Sequence, residues 1–295
     1  MSESYEGLGH KIEGAKDLES VVRTMKALAA SSIGQYERAA HSLNDYYRAV
    51  ELGLYVCFRQ AGAGMLPNGN GRPIMAPVGA VVFGSDQGLV GQFNDVLSDF
   101  VVETLRPLAG KKRVYAVGER IQSHLSDAGL EVDRLYPVPN SVRAITPLAG
   151  QILLDTELFP DKGPAQTLYI FHHRPIAGAA YEPISELLLP LDKKWKLGLE
   201  ELRWPTKNLP QVIGTVERTM LSLVHEYLFV SLFRACAESL ASENASRLAA
   251  MQRAEKNIDE LLESLTRSFH RLRQDAIDEE LFDLIAGFEA LGGGD

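Results

Sequence analysis

The longest uninterrupted pattern in the chain is an apolar stripe in its last third. No glycine or proline occurs between Thr215 and Ala286, a stretch of about 70 residues. In the interior of a helix, glycine and proline are destabilising by about 1 and 3 kcal/mol relative to alanine. At about 1.5 Å per residue, the stretch predicts a helix on the order of 100 Å long. A compact domain cannot bury such a helix, so we expect it to pair with another helix, with partner chains, or with both.

A second apolar stripe runs through the start of the chain. Apolar residues recur in alternating steps of three and four from Ala15 to Val50, and only Ser32 interrupts them. An average step of 3.5 residues keeps one stripe facing a partner helix. The pattern favours a coiled coil over a single amphipathic core helix.

The region between the stripes reads as an α/β domain, because strand and helix patterns alternate there. The predicted strands are Val78–Phe83, Val114–Val117, Leu135–Tyr136, Thr167–His173 and Ile184–Leu191. The predicted helices are Phe93–Leu108, Glu119–Ala128 and Ala144–Leu154. We expect a mixed or largely parallel, Rossmann-like sheet covered on both faces. After it, Pro210 is predicted to begin the long helix, with Asn208 or Thr206 as its cap.

These patterns predict four segments. They are an N-terminal coiled-coil helix (1–60), a flexible Gly- and Pro-rich linker (61–76), an α/β domain (77–204) and a long C-terminal helix (205–295). We expect the two terminal helices to pair antiparallel, with the α/β domain inserted between them. The C-terminal helix is longer by several turns. Its apolar end, with Leu281, Leu284, Ile285 and Phe288, therefore needs other proteins to bury it.

Composition narrows the choice of partners. A formal net charge of −9 argues against nucleic acid, since phosphate binding depends on clustered Lys and Arg. The contiguous apolar runs are too short to span a bilayer, and the polar, acidic N-terminus does not resemble a secretory signal. We therefore expect membrane association only through partners. Cys57 and Cys236 match no metal spacing and are expected to be buried thiols of a reduced intracellular protein.

The chain shows no pattern for a catalytic centre, a cofactor or a metal. Gly84, Gly88 and Gly91 are not followed by the lysine that a phosphate-binding loop requires, so we expect a tight turn between a strand and a helix. His172 and His173 are neighbours in a predicted strand. Their rings should point to opposite faces and should not bind one metal.

Three separated stretches resemble the γ subunit of F-type ATP synthases, the central rotor shaft. The matching residues are Met25-Lys26 with Ala29-Ala30-Ser31, then Ser85–Asn94, then Ser242–Met251 followed by Arg273-Gln274 and Ile277–Glu280. Their order, spacing and whole-length span agree with the family. Ser32 stands where the family has lysine and Asp278 where it has threonine, which indicates a divergent member.

The resemblance implies a non-catalytic subunit, without cofactor or metal, whose coiled coil lies inside a ring of α and β subunits. The α/β domain is then expected to lie against the ε subunit and the ring of membrane c subunits, on the cytoplasmic face of the bacterial plasma membrane. Rotation would couple ion translocation to ATP synthesis or hydrolysis. By position, the resemblance assigns β-subunit contacts to Met25, Lys26, Arg247, Gln274, Asp278 and Glu280, and a bearing to the tip formed by Leu281, Leu284, Ile285 and Phe288.

Two other functions fit the residues without the resemblance. One is a coiled-coil scaffold, which would form a homodimer. The other is a small-molecule-binding α/β enzyme that uses a helical hairpin for dimerisation, which would turn over substrate as an isolated chain.

Overall fold

The computed structural model describes residues 5–61, 77–157, 167–176, 180–191, 204–208 and 210–292, together with residues 195, 198 and 199. The side chains of residues 61, 180 and 288–292 lie outside this description, as does most of the predicted linker. The chain divides into two compact units. The larger is Ala29–Arg247, and the smaller combines Met1–Leu28 with Leu248–Asp295.

Helices and strands follow the predicted order. The helices are α1 (Tyr5–Ser42), α2 (Asn44–Ala61), α3 (Phe93–Leu105), α4 (Glu119–Asp127), α5 (Val142–Glu157) and α6 (Val216–Gly292). The strands are β1 (Val78–Phe83), β2 (Lys112–Val117), β3 (Val132–Tyr136), β4 (Thr167–Ile176) and β5 (Ala180–Leu189). The predicted alternation of strands and helices is confirmed.

The five strands form one mixed sheet in the order β3-β2-β1-β4-β5. Neighbours are parallel from β3 to β4, and β5 runs antiparallel to β4. Every residue of β1 is buried, as expected for a central strand with both faces covered. Pro183 lacks the N–H for ladder pairing, and β5 tolerates it because this strand lies at the edge of the sheet.

Each face of the sheet has its own hydrophobic core in the larger unit. Alternate residues of a strand point to opposite faces. Val81 therefore packs on the face shared with Ile152 of α5 and Leu232 of α6. Val82 packs on the other face, with Leu97 of α3. Full burial of such a side chain contributes about 1.5–3 kcal/mol, so these layers fix the sheet against its helices.

The predicted continuous N-terminal helix was wrong at one point, because the chain leaves helical geometry at Leu43, between α1 and α2. The Ser42 hydroxyl donates to the Ala39 carbonyl at 2.9 Å, and the Asn44 amide lies 3.4 Å from the His41 ring. Such local side-chain bonds compete with the helical backbone pattern. The heptad pattern does not report them.

Several predicted helix ends differ from the structure, and two of these differences have a local cause. The long helix begins at Val216 instead of Pro210, because Gly214 adopts φ +94°, a left-handed conformation that a helix cannot include. Helix α3 ends at Leu105 instead of Leu108. The Arg106 N–H still donates to the Val102 carbonyl, but Pro107 has no N–H to continue the helical hydrogen bonds.

In the smaller unit, α1 and α6 pair antiparallel, as predicted. The Tyr5 ring stacks on Phe269 with centroids 4.4 Å apart, whereas Lys26, near the other end of this part of α1, contacts Glu255. Leu8, Ala15 and Met251 are buried in this pairing.

Candidate functional site

The predicted partner-contact residues of α1 lie beside a charged cluster of the smaller unit. Lys26 Nζ lies 2.5 Å from Glu255 Oε2, and Arg23 Nε lies 3.3 Å from Glu255 Oε1. The hydrogen bond from Lys26, reinforced by Arg23, holds the pKa of the Glu255 carboxyl below its usual value. Met25 and Lys26 are half-buried. The structure therefore places Lys26 in an ion pair within the chain.

The predicted contacts near the end of α6 are exposed. This holds for Gln274, Asp278 and Glu280, while the side chain of Phe288 lies outside the described residues. Large apolar side chains between residues 277 and 285 are exposed as well, namely Ile277, Leu281, Phe282, Leu284 and Ile285. A partner of this end has to cover apolar surface and accommodate several carboxylates.

The turn after β1 is built by the Ser85–Asn94 stretch. The Ser85 N–H donates to Asn94 Oδ1 at 3.1 Å, and Asn94 Nδ2 donates to Ser85 Oγ at 2.8 Å. Asp86 accepts from the backbone N–H groups of Glu119 and Val138, each at 2.9 Å. The carboxylate thereby ties this turn to the start of α4 and to the segment after β3.

Three buried serines of α6 form hydrogen bonds at the carboxyl end of the sheet, and we call these bonds the serine contacts. Ser239 Oγ donates to the Phe83 carbonyl at 2.9 Å, at the end of β1. Ser242 Oγ donates to a carbonyl of β4 at 3.1 Å, and Ser246 Oγ donates to a carbonyl of the turn after β1 at 2.5 Å. The spacings of three and four place all three hydroxyls on one face of the helix. The sequence resemblance includes Ser242 and Ser246 but did not predict this contact, and Ser239 was missed.

The position of α6 affects what can bind at the carboxyl end of the sheet. The strand order reverses at β1, whose neighbours are β2 and β4. In open α/β sheets, ligands bind beyond the carboxyl ends of the strands at such a reversal. Here the chain's own helix is bound there through the serine contacts.

A charged network that the sequence did not predict joins β4, β5 and α6. Glu238 Oε2 lies 3.0 Å from His172 Nε2 and 3.3 Å from Arg174 Nε. Glu186 accepts from Arg174 at 2.5 Å and from Arg234 at 3.0 Å. Burial opposes ionisation of Glu238, but the bond to His172 and the two nearby arginines lower its pKa below the usual value. The network fixes α6 to the antiparallel edge of the sheet.

His173 is part of the packed core. Its Nε2 donates to the Phe93 carbonyl at 2.8 Å, and burial lowers its pKa to about 4, so the ring is neutral near pH 7. The neighbouring His172 contacts a different group, as the opposite-face prediction required. Among the described residues, no group of three or more His, Cys, Asp or Glu side chains is placed to hold a metal ion.

Arg247, a predicted partner contact, is bound within its own helix. One guanidinium nitrogen lies 2.5 Å from Glu243 Oε1, and another lies 3.4 Å from Asn244 Oδ1. Burial raises the pKa of Glu243, with a further contribution from Asp86, while Arg247 opposes the shift.

Both cysteines are buried free thiols, as predicted.

Contrary to the expectation from contiguous apolar runs, α6 contains an 18-residue window with a mean hydropathy of 1.3, long and apolar enough to cross a membrane. Helices packed in a protein core meet the same criterion, and α6 packs in the core from Tyr227 to Ala241.

Comparisons with known proteins agree along the whole chain. A family model described as ATP synthase matches residues 4–291. The ATP synthase gamma chain of Bacteroides fragilis strain YCH46 is 28% identical over 282 residues, which cover 94% of this chain and 96% of the relative. The gamma chain of Methylibium petroleiphilum is 28% identical over 300 residues, covering 96% and 97%.

Solved structures share the fold. The rotor of the Euglena gracilis mitochondrial ATP synthase matches with a TM-score of 0.62 at 16% identity, covering 92% of this chain and 98% of that chain. The central stalk and c-ring structure of the Tetrahymena thermophila mitochondrial ATP synthase contains a chain that matches with a TM-score of 0.56 at 20% identity, covering 79% and 99%.

Proposed function

Because the chain belongs to the ATP synthase family, and its relatives there are gamma chains, we propose that it is the central-stalk γ subunit of a bacterial F-type ATP synthase. It rotates inside the ring of α and β subunits and couples ion translocation through the membrane sector to ATP synthesis or hydrolysis. It catalyses no reaction itself, and its partners hold it at the cytoplasmic face of the plasma membrane.

The anchoring of α6 is the observation that supports this proposal most. Serine contacts and the charged network bind α6 to the sheet in the larger unit. The same helix continues to Gly292. Before Gly287 it contains no glycine or proline, the residues at which sharp kinks usually occur. A helix fixed in this way is suited to transmit torque, and its occupation of the sheet edge disfavours the small-molecule enzyme.

We propose that Met25, Lys26, Arg247, Gln274, Asp278 and Glu280 contact the β subunits. The exposed apolar end of α6 turns in a bearing formed by the ring, and the α/β domain contacts the ε subunit and the c-ring. An asymmetric shaft presents a different face to each β subunit. It shifts the states of the three sites through differential contacts.

Copurification tests the proposal. The chain is coexpressed with the α and β subunits encoded in the same genome, and the mass of the complex is measured under native conditions. We expect one copy of this chain per three α and three β subunits. A homodimer that excludes α and β would support the scaffold instead, and substrate turnover by the isolated chain would support the enzyme.

A substitution tests the assigned contacts. Glu280→Ala should change the ATPase rate of the reconstituted complex without unfolding the chain, because Glu280 is exposed. Glu217 is exposed and lies at the other end of α6. Glu217→Ala is therefore the matched control and should leave the ATPase rate unchanged. Equal rates for both variants would remove Glu280 from the contact surface.

A further inference from the structure

A cavity of about 430 Å³ lies in the larger unit, lined by the end of α2 and by residues shortly before α6. Thr206 and Asn208, the predicted caps of the long helix, line this cavity instead, because the helix begins at Val216. Pockets for small molecules have volumes of about 300–1,000 Å³. The cavity therefore has the size of a ligand pocket, and the contacts proposed above use none of its residues.

Both charged side chains that line the cavity are cations. They are Arg59 and Lys207, and the described residues contribute no Asp or Glu to the lining. Neither cation forms an ion pair with a residue that the structure describes. The chain as a whole has a net charge of −9. Two cations without a neighbouring carboxylate create a local positive potential that attracts an anion.

Aromatic and amide groups line the same cavity. Trp204 and Tyr55 are half-buried, and Trp204 Nε1 donates to Thr206 Oγ1 at 3.1 Å. The guanidinium carbon of Arg59 lies 5.7 Å from the centre of the Tyr55 ring, a contact that orients this cation. Gln60 presents an amide, as Asn208 does, and an amide can both donate and accept hydrogen bonds. The lining thus combines positive charge, aromatic surface and groups that can bind a polar ring edge.

We propose that this cavity binds a nucleoside polyphosphate, such as ATP, as a ligand that the chain does not react with. Arg59 and Lys207 bind the phosphates. The base stacks on the aromatic surface, since every base has a face that can pack on tryptophan or tyrosine. A polyphosphate without a base would leave the aromatic groups unused, and an uncharged ring would leave the two cations unused. This inference goes beyond the rotor function and does not depend on it.

Trp204 provides a direct test. The chain contains two tryptophans, Trp195 and Trp204, so Trp195→Phe leaves one fluorophore, and that fluorophore lines the cavity. Phenylalanine keeps an aromatic ring beside Phe58 and Tyr227, the neighbours of Trp195. ATP should quench the fluorescence of this full-length variant to saturation. The isolated chain is used because the sites that make or hydrolyse ATP in the proposed complex belong to other subunits.

Calorimetry of the unmodified chain measures the same binding without the change at Trp195. It should give the dissociation constant found by fluorescence. If neither measurement shows saturable binding at millimolar ATP, the nucleotide site is overturned.

Substitution of the cations tests their role. Arg59→Gln and Lys207→Gln should each weaken ATP binding about tenfold, because each removes a charged hydrogen bond to phosphate. Lys111→Gln is the matched control, since Lys111 is exposed, belongs to the same unit and does not line the cavity. Equal ATP affinities of Lys207→Gln and Lys111→Gln would overturn the site.

Tripolyphosphate and adenosine test the class of ligand. ATP should bind at least about tenfold more tightly than either probe, because only ATP uses both the cations and the aromatic surface. Trp204→Leu should weaken ATP binding about tenfold and leave the affinity for tripolyphosphate unchanged, which also shows that the variant is folded. Tripolyphosphate that binds as tightly as ATP would overturn the nucleotide assignment. Copurification tests the rotor function separately, so failure of one proposal is distinguishable from failure of the other.

Discussion

Replacing the three serines that hold α6 to the sheet tests the anchoring on which the proposed shaft depends. Ser239, Ser242 and Ser246 are each at most 5% exposed, and each donates to a backbone carbonyl. In addition, the Tyr181 hydroxyl lies 2.8 Å from Ser246 Oγ. The triple alanine variant therefore removes three buried donors and one partner of a tyrosine.

The expected cost follows from two opposing effects. Loss of a buried hydrogen bond, with an acceptor left unsatisfied, costs about 1.5 kcal/mol. Alanine is the better helix former and returns about 0.5 kcal/mol at each position. Three sites then give a net destabilisation of about 3 kcal/mol, with some coupling because the sites are neighbours.

Urea unfolding followed by tryptophan fluorescence measures this cost. Trp195 and Trp204, the two tryptophans of the chain, both belong to the larger unit, so the signal reports the unit that contains the serine contacts. Ser222→Ala is the matched control, because this serine is exposed and donates within α6 to the Arg218 carbonyl. A triple variant within about 0.5 kcal/mol of that control would refute the anchoring.

Three further predictions test other parts of the structure. Gly118 has φ +117°, and an added Cβ would lie 2.6 Å from a backbone oxygen of the turn after β1. Gly118→Ala should therefore destabilise the larger unit by at least about 2 kcal/mol in urea unfolding, whereas Gly129→Ala, with open space at φ +82°, should cost about 1 kcal/mol. The lowered pKa of Glu255 means that its stabilising contribution is present above its usual pKa and is lost as the pH falls through its lowered folded value. Lys26→Met should therefore lower amide protection relative to wild type at about pH 6, and this difference should vanish in acid. A difference that persists in acid would contradict the ion pair. In the isolated chain, amides of residues 276–287 should exchange rapidly because their side chains are exposed, and strong protection there would contradict the need for a partner.

Several elements were predictable because local sequence determines them. The absence of glycine and proline after Thr215 predicted α6, and the apolar run Val78–Phe83 predicted β1. Pro147 inside α5 did not break the helix, since the side chains around it pack on the sheet. The alternation of strands and helices predicted a mixed or largely parallel sheet, but it predicted neither the strand order nor the antiparallel pairing of β4 with β5.

Other features could not be predicted because they depend on contacts between distant residues or on local side-chain bonds. The stripe from Ala15 to Val50 contains no signal for the break at Leu43. Serine is ordinary on a helix surface, so nothing in the sequence indicates that Ser239 lies against the end of β1. The pairing of Arg247 with Glu243 has a helical spacing, but the burial of that pair depends on the turn at Asp86.

Rotation of the chain inside its complex tests the central claim most directly. Because Cys57 and Cys236 are buried, a cysteine introduced at exposed Asp127 on α4 provides a selective attachment point for an optical probe. With the α and β ring immobilised and ATP supplied, the probe should turn in one direction and pause at three positions per revolution. A probe that stays fixed while the same complexes hydrolyse ATP would contradict the rotor function.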